Sequence, residues 1–209
     1  MCIRDSTKVK RSFAEAMMEE VLAPGSVRVE PACSHFGLCG GCRFQDLAYD
    51  AQVAEKAKQV EDALVRLAGI ADPPLEPIVP AEEIFHYRNK VEYSFAPGED
   101  GLATLGFHRA GRWDEVLDLE RCWLTTDVGN RIREIGRDWA REERLVAYDQ
   151  RTNSGYLRHL VVREGRNTGQ ALVQLVTHER ERFDRERLIE VLVAHPEVRS
   201  IQWLSLIHI

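Results

Sequence analysis

The spacing of apolar side chains divides the chain into segments of different period. From Lys8 to Leu22 the apolar residues Phe13, Ala14, Ala16, Met18, Val21 and Leu22 fit neither strict alternation nor a helical stripe. Ala23-Pro24-Gly25-Ser26 is turn chemistry, and Val27 to Pro31 reads as a short extended lead-in. Between Tyr49 and Leu67, the residues Val53, Ala57, Val60, Leu64 and Leu67 recur at helical spacing among good helix formers, with Gly69 as the stop. That segment is a predicted helix. Asp72 to Pro80 is a stiff connector, because proline fixes φ and drives its predecessor into extended geometry; a domain boundary is expected there.

Beyond the connector the period changes to two. Lys90 to Phe95 alternates cleanly, Pro97 to Gly101 turns, and Leu102 to Arg109 with Glu115 to Leu119 supplies further strands of an antiparallel meander. Asp127 to Leu145 is a second predicted helix, capped by Thr126 or Asp127, with Val128, Ile132, Ile135 and Trp139 facing inward. Tyr156 to Arg163 and Gln170 to Thr177 make a hairpin around Gly165 to Gly169. Asp184 then caps a helix running to Ala194, and a last strand starts at Val198. Strands joined by hairpins, with helices after them and no internal repeats, predict an α+β fold with a mixed or antiparallel central sheet.

With 209 residues, 44% of them hydrophobic and 30% charged, the chain can bury one core or two small ones. It has no apolar run of about 18 residues and no signal-peptide pattern, so a soluble, cytoplasmic protein without a membrane partner is expected, and a monomer is expected separately. The formal net charge of −6 argues against gripping nucleic acid by overall basicity, so any RNA contact has to be a local patch. The cations of the segments His86 to Lys90 and Arg158 to Arg163 are candidates, set against ordinary solvated charge on strand edges.

The two ends read differently from the rest. Residues 1–6, Met-Cys-Ile-Arg-Asp-Ser, and residues 204–209, Leu-Ser-Leu-Ile-His-Ile, are translations of one transposase-adaptor DNA end in opposite directions. Set aside as processing scars, they leave residues 7–203 as the genuine sequence, with Thr7 and Trp203 as cut points.

Four cysteines remain outside those ends: Cys33, Cys39 and Cys42 in the pattern C-x5-C-x2-C, and Cys122 far downstream. Clustered thiols in a chain without a secretory signal point to a metal before disulfides. Gly37, Gly40 and Gly41 let the loop fold tightly enough to aim several sulfurs at one point. Zinc and a [4Fe–4S] cluster both accept four thiolates. A zinc ribbon carries paired C-x2-C knuckles and only one is present, which tilts the spacing toward the cluster without deciding it. Buried, unliganded cysteines are the remaining alternative. His35 is read as a hydrogen-bonding or packing residue before a ligand.

The loop C-S-H-F-G-L-C-G-G-C-R-F-Q, starting at Cys33, resembles that of RNA (uracil-5-)-methyltransferases acting on large-subunit ribosomal RNA. Further matches keep the family's order: Gln45 to Lys58, Phe85 to Phe95 (F-H-Y-R-N-K-V-E-Y-S-F), Leu105 to His108, Asp118 to Cys122 and Leu157 to Glu164. The resemblance implies that Cys33, Cys39, Cys42 and Cys122 ligate a [4Fe–4S] cluster. It implies a parent enzyme with a TRAM-type barrel, a central domain and a Rossmann-like domain for S-adenosylmethionine, making 5-methyluridine in 23S rRNA. On that layout residues 7–30 end the TRAM domain and 31–45 form the cluster loop. Residues 46–84 pack on the methyltransferase domain, 85–197 form the central RNA-binding domain and 198–203 begin the methyltransferase domain. Tyr87, Arg88, Asn89, Lys90 and His108, with Arg158 and Arg163 behind them, are the implied RNA contacts, against strand packing or plain surface charge.

The parent's chemistry needs a cysteine thiolate to add to uracil C6 and a carboxylate base to remove the C5 proton. Neither position, nor a glycine-rich cofactor turn, is found in residues 7–203, so the chain alone is expected to be inactive, a fragment of the enzyme. Three alternatives stand beside this: a transfer RNA substrate, a non-catalytic metal-stabilised RNA-binding module, and a zinc-bound structural domain.

Overall fold

The computed structural model describes residues 2–178 and 185–206. It divides into two compact units, Met1–Pro31 with Phe44–Pro80, and Ala32–Arg43 with Ala81–Ile209.

In the first unit, β1 (Cys2–Val9) pairs antiparallel with β2 (Ala14–Val21). Periodicity gave no assignment between Lys8 and Leu22, and two causes are visible. The register slips between Ile3 and Arg4 and between Ser6 and Lys8, and Phe13, Met18 and Leu22 stay 50%, 56% and 51% exposed. Where the described apolar residues stay exposed, a strand is under little pressure to alternate. The lead-in before the cysteines is a one-residue bridge, Arg28 to Leu47. Val29 N–H donates to the Asp46 carbonyl (2.9 Å) and Ala48 N–H to that of Val27 (2.9 Å), while Arg28 and Asp46 pair as ions. Helix α1 (Tyr49–Arg66) follows where the apolar spacing placed it. Leu67 N–H closes its last turn on the Ala63 carbonyl at 2.9 Å, and Gly69 takes the left-handed φ of +72° that breaks the helix. None of its residues is buried; Val60 is 50% and Leu67 87% exposed. Among the described residues no helix is long and apolar enough to cross a membrane.

The second unit is built on a six-stranded mixed sheet in the order β5-β4-β3-β6-β7-β8. The strands are β3 (Lys90–Pro97), β4 (Ala103–His108), β5 (Val116–Asp118), β6 (Leu157–Gly165), β7 (Gln170–Thr177) and β8 (Val198–Ser205). All pairings are antiparallel except β7 with β8, which are parallel and connected through α3 (Arg185–Val193). A parallel pair needs such a crossover because a tight turn can only reverse the chain. The boundary expected before Val198 thus falls within this sheet. Asp184, expected to cap α3, lies outside the described residues. The end residues set aside on DNA grounds enter strands as far as they are described, 2–6 in β1 and 204–205 in β8.

Helix α2 (Asp127–Glu142) packs on β4 and β6 and against α3, which in turn touches β8. The Thr126 hydroxyl caps it by accepting from Gly129 N–H at 3.3 Å. Ile132 and Trp139 are buried as expected, and Val128 and Ile135 pack half-buried on the core. They meet Val91, Tyr93, Leu105, Leu160, Val173 and Leu175, all at most 3% exposed. Each such apolar side chain contributes about 1.5–3 kcal/mol by leaving water. One residue on this buried stripe is charged: the Arg133 side chain is 0% exposed.

Candidate functional site

The cysteine loop is shaped by backbone bonds. Phe36 N–H donates to the Cys33 carbonyl (3.0 Å), and Leu38 and Cys39 N–H both donate to that of His35 (3.1 and 2.9 Å), coiling the chain around His35. The loop then lies along the end of β4: Ala110 N–H donates to the Leu38 carbonyl (2.8 Å) and Gly40 N–H to that of His108 (3.0 Å). A Cβ on Gly40 would stand 3.1 Å from the same oxygen, so only glycine allows this approach without a shift.

A second set of bonds ties the loop to the chain before α2. His35 Nε2 accepts from Glu120 N–H at 3.0 Å, which occupies that nitrogen with a hydrogen bond. Ser34 Oγ reaches Glu120 Oε2 at 3.4 Å. Arg133 Nη2 donates to the Glu120 carbonyl at 3.2 Å from the helix side. Asn130 holds the next turn, taking the Cys122 N–H on Oδ1 (2.7 Å) and returning an N–H to the Cys122 carbonyl (2.9 Å).

These contacts bring the four cysteines into one neighbourhood. Cys122 is buried, the other three are half-buried, and none forms a disulfide. The Cys39 thiol is pushed above the ordinary cysteine range, first by burial. The N–H···S bond from Gly41, 3.4 Å long, pulls it the other way, while Cys42, Cys122 and Cys33 add to the rise as like-charge neighbours. A thiol disfavoured in this way as a thiolate is one whose ionisation a bound cation would restore. Among the described residues, no three His, Cys, Asp or Glu side chains form a group that could hold one metal ion. A cavity of ≈ 370 Å³ beside Cys39 and Cys42 is walled by Arg43, Phe107, His108 and Arg109. His108 Nδ1 is buried there without a hydrogen-bond partner.

The remaining expected site residues fall into three places. Tyr87 and Arg88 sit on the segment that leads into β3, anchored alongside Cys122. His86 and Arg88 N–H donate to the Trp123 and Leu124 carbonyls (2.8 and 2.9 Å), and Phe85 packs on Trp123 with ring centroids 5.6 Å apart. Tyr87 itself is 51% exposed. Asn89, Lys90 and Arg163 line a separate cavity of ≈ 440 Å³ with Glu164, Thr168 and Arg199. Arg158 lies over the Tyr148 ring at 4.5 Å, away from both cavities. Its neighbour His159 faces Ser94 Oγ at 3.3 Å and is held below the usual histidine range by burial.

Arg199 was not among the expected residues. It stands where β8 slips one residue against β7, between the partners Ala171–Val198 and Leu172–Ser200. The sequence marks a strand there, but only the parallel register beside β7 shows which of its residues reaches the cavity.

No family model matches the chain. It is 39% identical over 184 residues to an uncharacterised RNA methyltransferase of Chlorobaculum tepidum, covering 81% of this chain and 38% of that protein. A second, from Bacteroides thetaiotaomicron, is 36% identical, with 94% of this chain and 46% of that protein covered. Among solved structures, the tRNA (uracil-54, C5)-methyltransferase of Pyrococcus abyssi, in complex with S-adenosyl-L-homocysteine, superposes with a TM-score of 0.64. It is 25% identical, over 88% of this chain and 40% of its own. The chain spans less than half the length of these relatives, and over most of its own length it is similar to proteins named RNA methyltransferases.

Proposed function

We propose that this chain supplies the RNA-contacting surface and the iron–sulfur site of an S-adenosylmethionine-dependent methyltransferase that makes 5-methyluridine in 23S rRNA. The observation that carries the reading is that Cys33, Cys42 and Cys122 all lie close enough to Cys39 to act on its charge, with the His35–Glu120 and Asn130–Cys122 bonds tying the loop to the turn before α2. Zinc needs four sulfurs each about 2.3 Å from a single centre. A zinc ribbon carries paired C-x2-C knuckles and this chain has one, which favours the cluster, with zinc kept as an outcome of the metal analysis. Cys33, Cys39, Cys42 and Cys122 are the residues to hold a [4Fe–4S] cluster, and the cluster supplies thiolate–iron bonds joining the loop to the turn before α2. Asn130 and Arg133 fix that turn, and Gly40 and Gly41 fix the loop.

In the whole protein the methylation itself, with its cysteine nucleophile, carboxylate base and S-adenosylmethionine site, is proposed to belong to a further domain. This chain's residues hold the RNA near a splayed or unpaired uridine. Tyr87 offers an exposed ring for stacking, and Arg88, Asn89, Lys90, His108, Arg158 and Arg163 offer phosphate and base-edge contacts. Transfer RNA is the second reading of the substrate, favoured by the likeness to the Pyrococcus abyssi tRNA enzyme.

Anaerobic purification followed by iron, sulfide and zinc analysis and a visible spectrum tests the cluster. About four irons and four sulfides per chain with a broad visible shoulder is the expected result. Zinc alone, or no metal in a folded sample, ends the iron–sulfur reading. Methyl transfer by the full-length protein to 23S rRNA and to tRNA transcripts then decides the substrate.

A further inference from the structure

The sheet places like charges side by side at one end. In the β3–β6 ladder Lys90 stands directly opposite Arg163, Arg163 opposes Leu172 in the β6–β7 ladder, and Leu172 opposes Ser200 on β8. These residues therefore form one row across four neighbouring strands. The register slip at the start of β8 adds Arg199 beside the row, the kind of bulge that re-aims a side chain. Lys90, Arg163 and Arg199 line the same ≈ 440 Å³ cavity, together with the neutral donors Asn89, Thr168 and Gln170.

Like charges directly opposite one another on adjacent strands destabilise a sheet. The carboxylates nearby offset this only in part. Lys90 has Glu92 at 3.6 Å. Glu164 also lines the cavity as an anion, its oxygens held by the hydroxyls of Thr125 (3.1 Å) and Thr126, and is outnumbered there by Lys90, Arg163 and Arg199. Among the described residues neither Arg163 nor Arg199 has a carboxylate within ion-pair distance. Two guanidinium groups and an amine lining one cavity carry the charge and the N–H donors that a phosphate requires.

We infer that Lys90, Arg163 and Arg199 form a phosphate-binding site that takes a backbone phosphodiester of the bound RNA, with Arg199 as its specificity-neutral anchor. The site rests on the reading of the protein as RNA-binding. It fixes where the strand lies, not which base is read.

The test is binding of a fluorescent single-stranded, uridine-rich RNA oligonucleotide to the full chain, followed from low to moderate salt. Arg199→Gln and Arg163→Gln are each expected to weaken binding about tenfold at low salt and to reduce the slope of log affinity against log salt by roughly 0.7, one single-strand phosphate contact. Arg199→Lys keeps the slope. Arg151→Gln removes an equal charge at a surface ion pair with Asp149 and leaves affinity within about twofold. RNA binding with Arg199→Gln and Arg163→Gln no different from Arg151→Gln overturns the site and leaves the RNA reading standing. No binding by the unaltered chain, folded and with its metal content measured, overturns both.

Discussion

Asn130 clasps Cys122 through both of its backbone groups, accepting the amide at 2.7 Å and donating to the carbonyl at 2.9 Å. The same side chain also donates to the Thr126 carbonyl at 3.0 Å, so one buried amide on α2 fixes the whole turn that presents the Cys122 sulfur. Truncation leaves two buried backbone groups without partners, each costing about 1–3 kcal/mol. Asn130→Ala is expected to lower unfolding free energy by about 2–4 kcal/mol and, on the proposed cluster assignment, to reduce iron retention in the anaerobically purified chain. Asn130→Asp keeps the acceptor and loses the donors, so it falls between. Urea denaturation of the three proteins checks the order, and an Asn130→Ala variant within about 0.5 kcal/mol of the parent removes the clasp from the argument.

Gly136 sits in the middle of α2, where glycine costs about 1 kcal/mol relative to alanine. Packing explains its presence. A Cβ at this position would lie 2.6 Å from Leu160 Cδ2 and 3.7 Å from Leu105 Cδ2, the two strand residues beneath the helix. Leu160 and Leu105 are 1% and 0% exposed and have no solvent to swing into, so overpacking at about 1–3 kcal/mol outweighs the gain in propensity. Gly136→Ala is expected to lower the midpoint of thermal unfolding. A rise in midpoint shows that the helix can lift off β6 at little cost.

How much of this was legible in the sequence depended on whether a residue's role was local. The spacing of Val53 to Leu67 gave α1, and Thr126 gave the start of α2, because helix period and cap chemistry are properties of neighbours. Arg133 was invisible by the same logic, since an arginine at a helical inward position reads as surface charge until Tyr93 and Asp118 are known to lie beside it. The C-x5-C-x2-C pattern showed three cysteines as a group. Its connection to Cys122 through His35, Glu120 and Asn130 is a relation between residues far apart in sequence. Arg199 depended on a register slip in a parallel pair, which no alternation encodes. The β1–β2 hairpin went unread where its described apolar side chains, Val9, Phe13, Met18 and Leu22, are exposed.

Arg133 tests whether a buried charge contributes stability or position. Its Nε and Nη1 have no hydrogen-bond partner, burial holds it below the usual arginine range, and Asp118 is 3.7 Å away. Replacing a buried ion pair by hydrophobes of similar volume is often neutral or stabilising by about 1–4 kcal/mol, and the partner left behind here, Asp118, is a third exposed and keeps Arg137 and Arg141. Arg133→Met is therefore expected to hold or raise stability, while loosening the Glu120 turn that its Nη2 supports. Denaturation midpoints together with iron content separate the two effects. A loss above about 3 kcal/mol in Arg133→Met assigns the guanidinium a structural role that its contacts do not account for.

His159 gives the second unit a pH dependence of known sign. Burial is the main cause holding its imidazole below the ordinary range; Glu92, at 4.0 Å, works against that shift, and Arg158 and His108 add to it. The unfolded chain therefore binds a proton as the pH falls through about 6.5, while the folded chain still holds a neutral ring. Stability contributed by the neutral histidine is present above the unfolded value and is lost as the pH drops toward and through the folded one. Glu92, on the neighbouring strand of the same face, cannot reverse the sign, because its attraction for the imidazolium is smaller than the desolvation it opposes. Denaturation midpoints at pH 7.5 and 5.5 should thus fall for the parent and fall less for His159→Gln, which keeps a polar partner for Ser94 without titrating. Equal losses in the two proteins place the acid sensitivity in other groups and leave His159 freely solvated in its folded state.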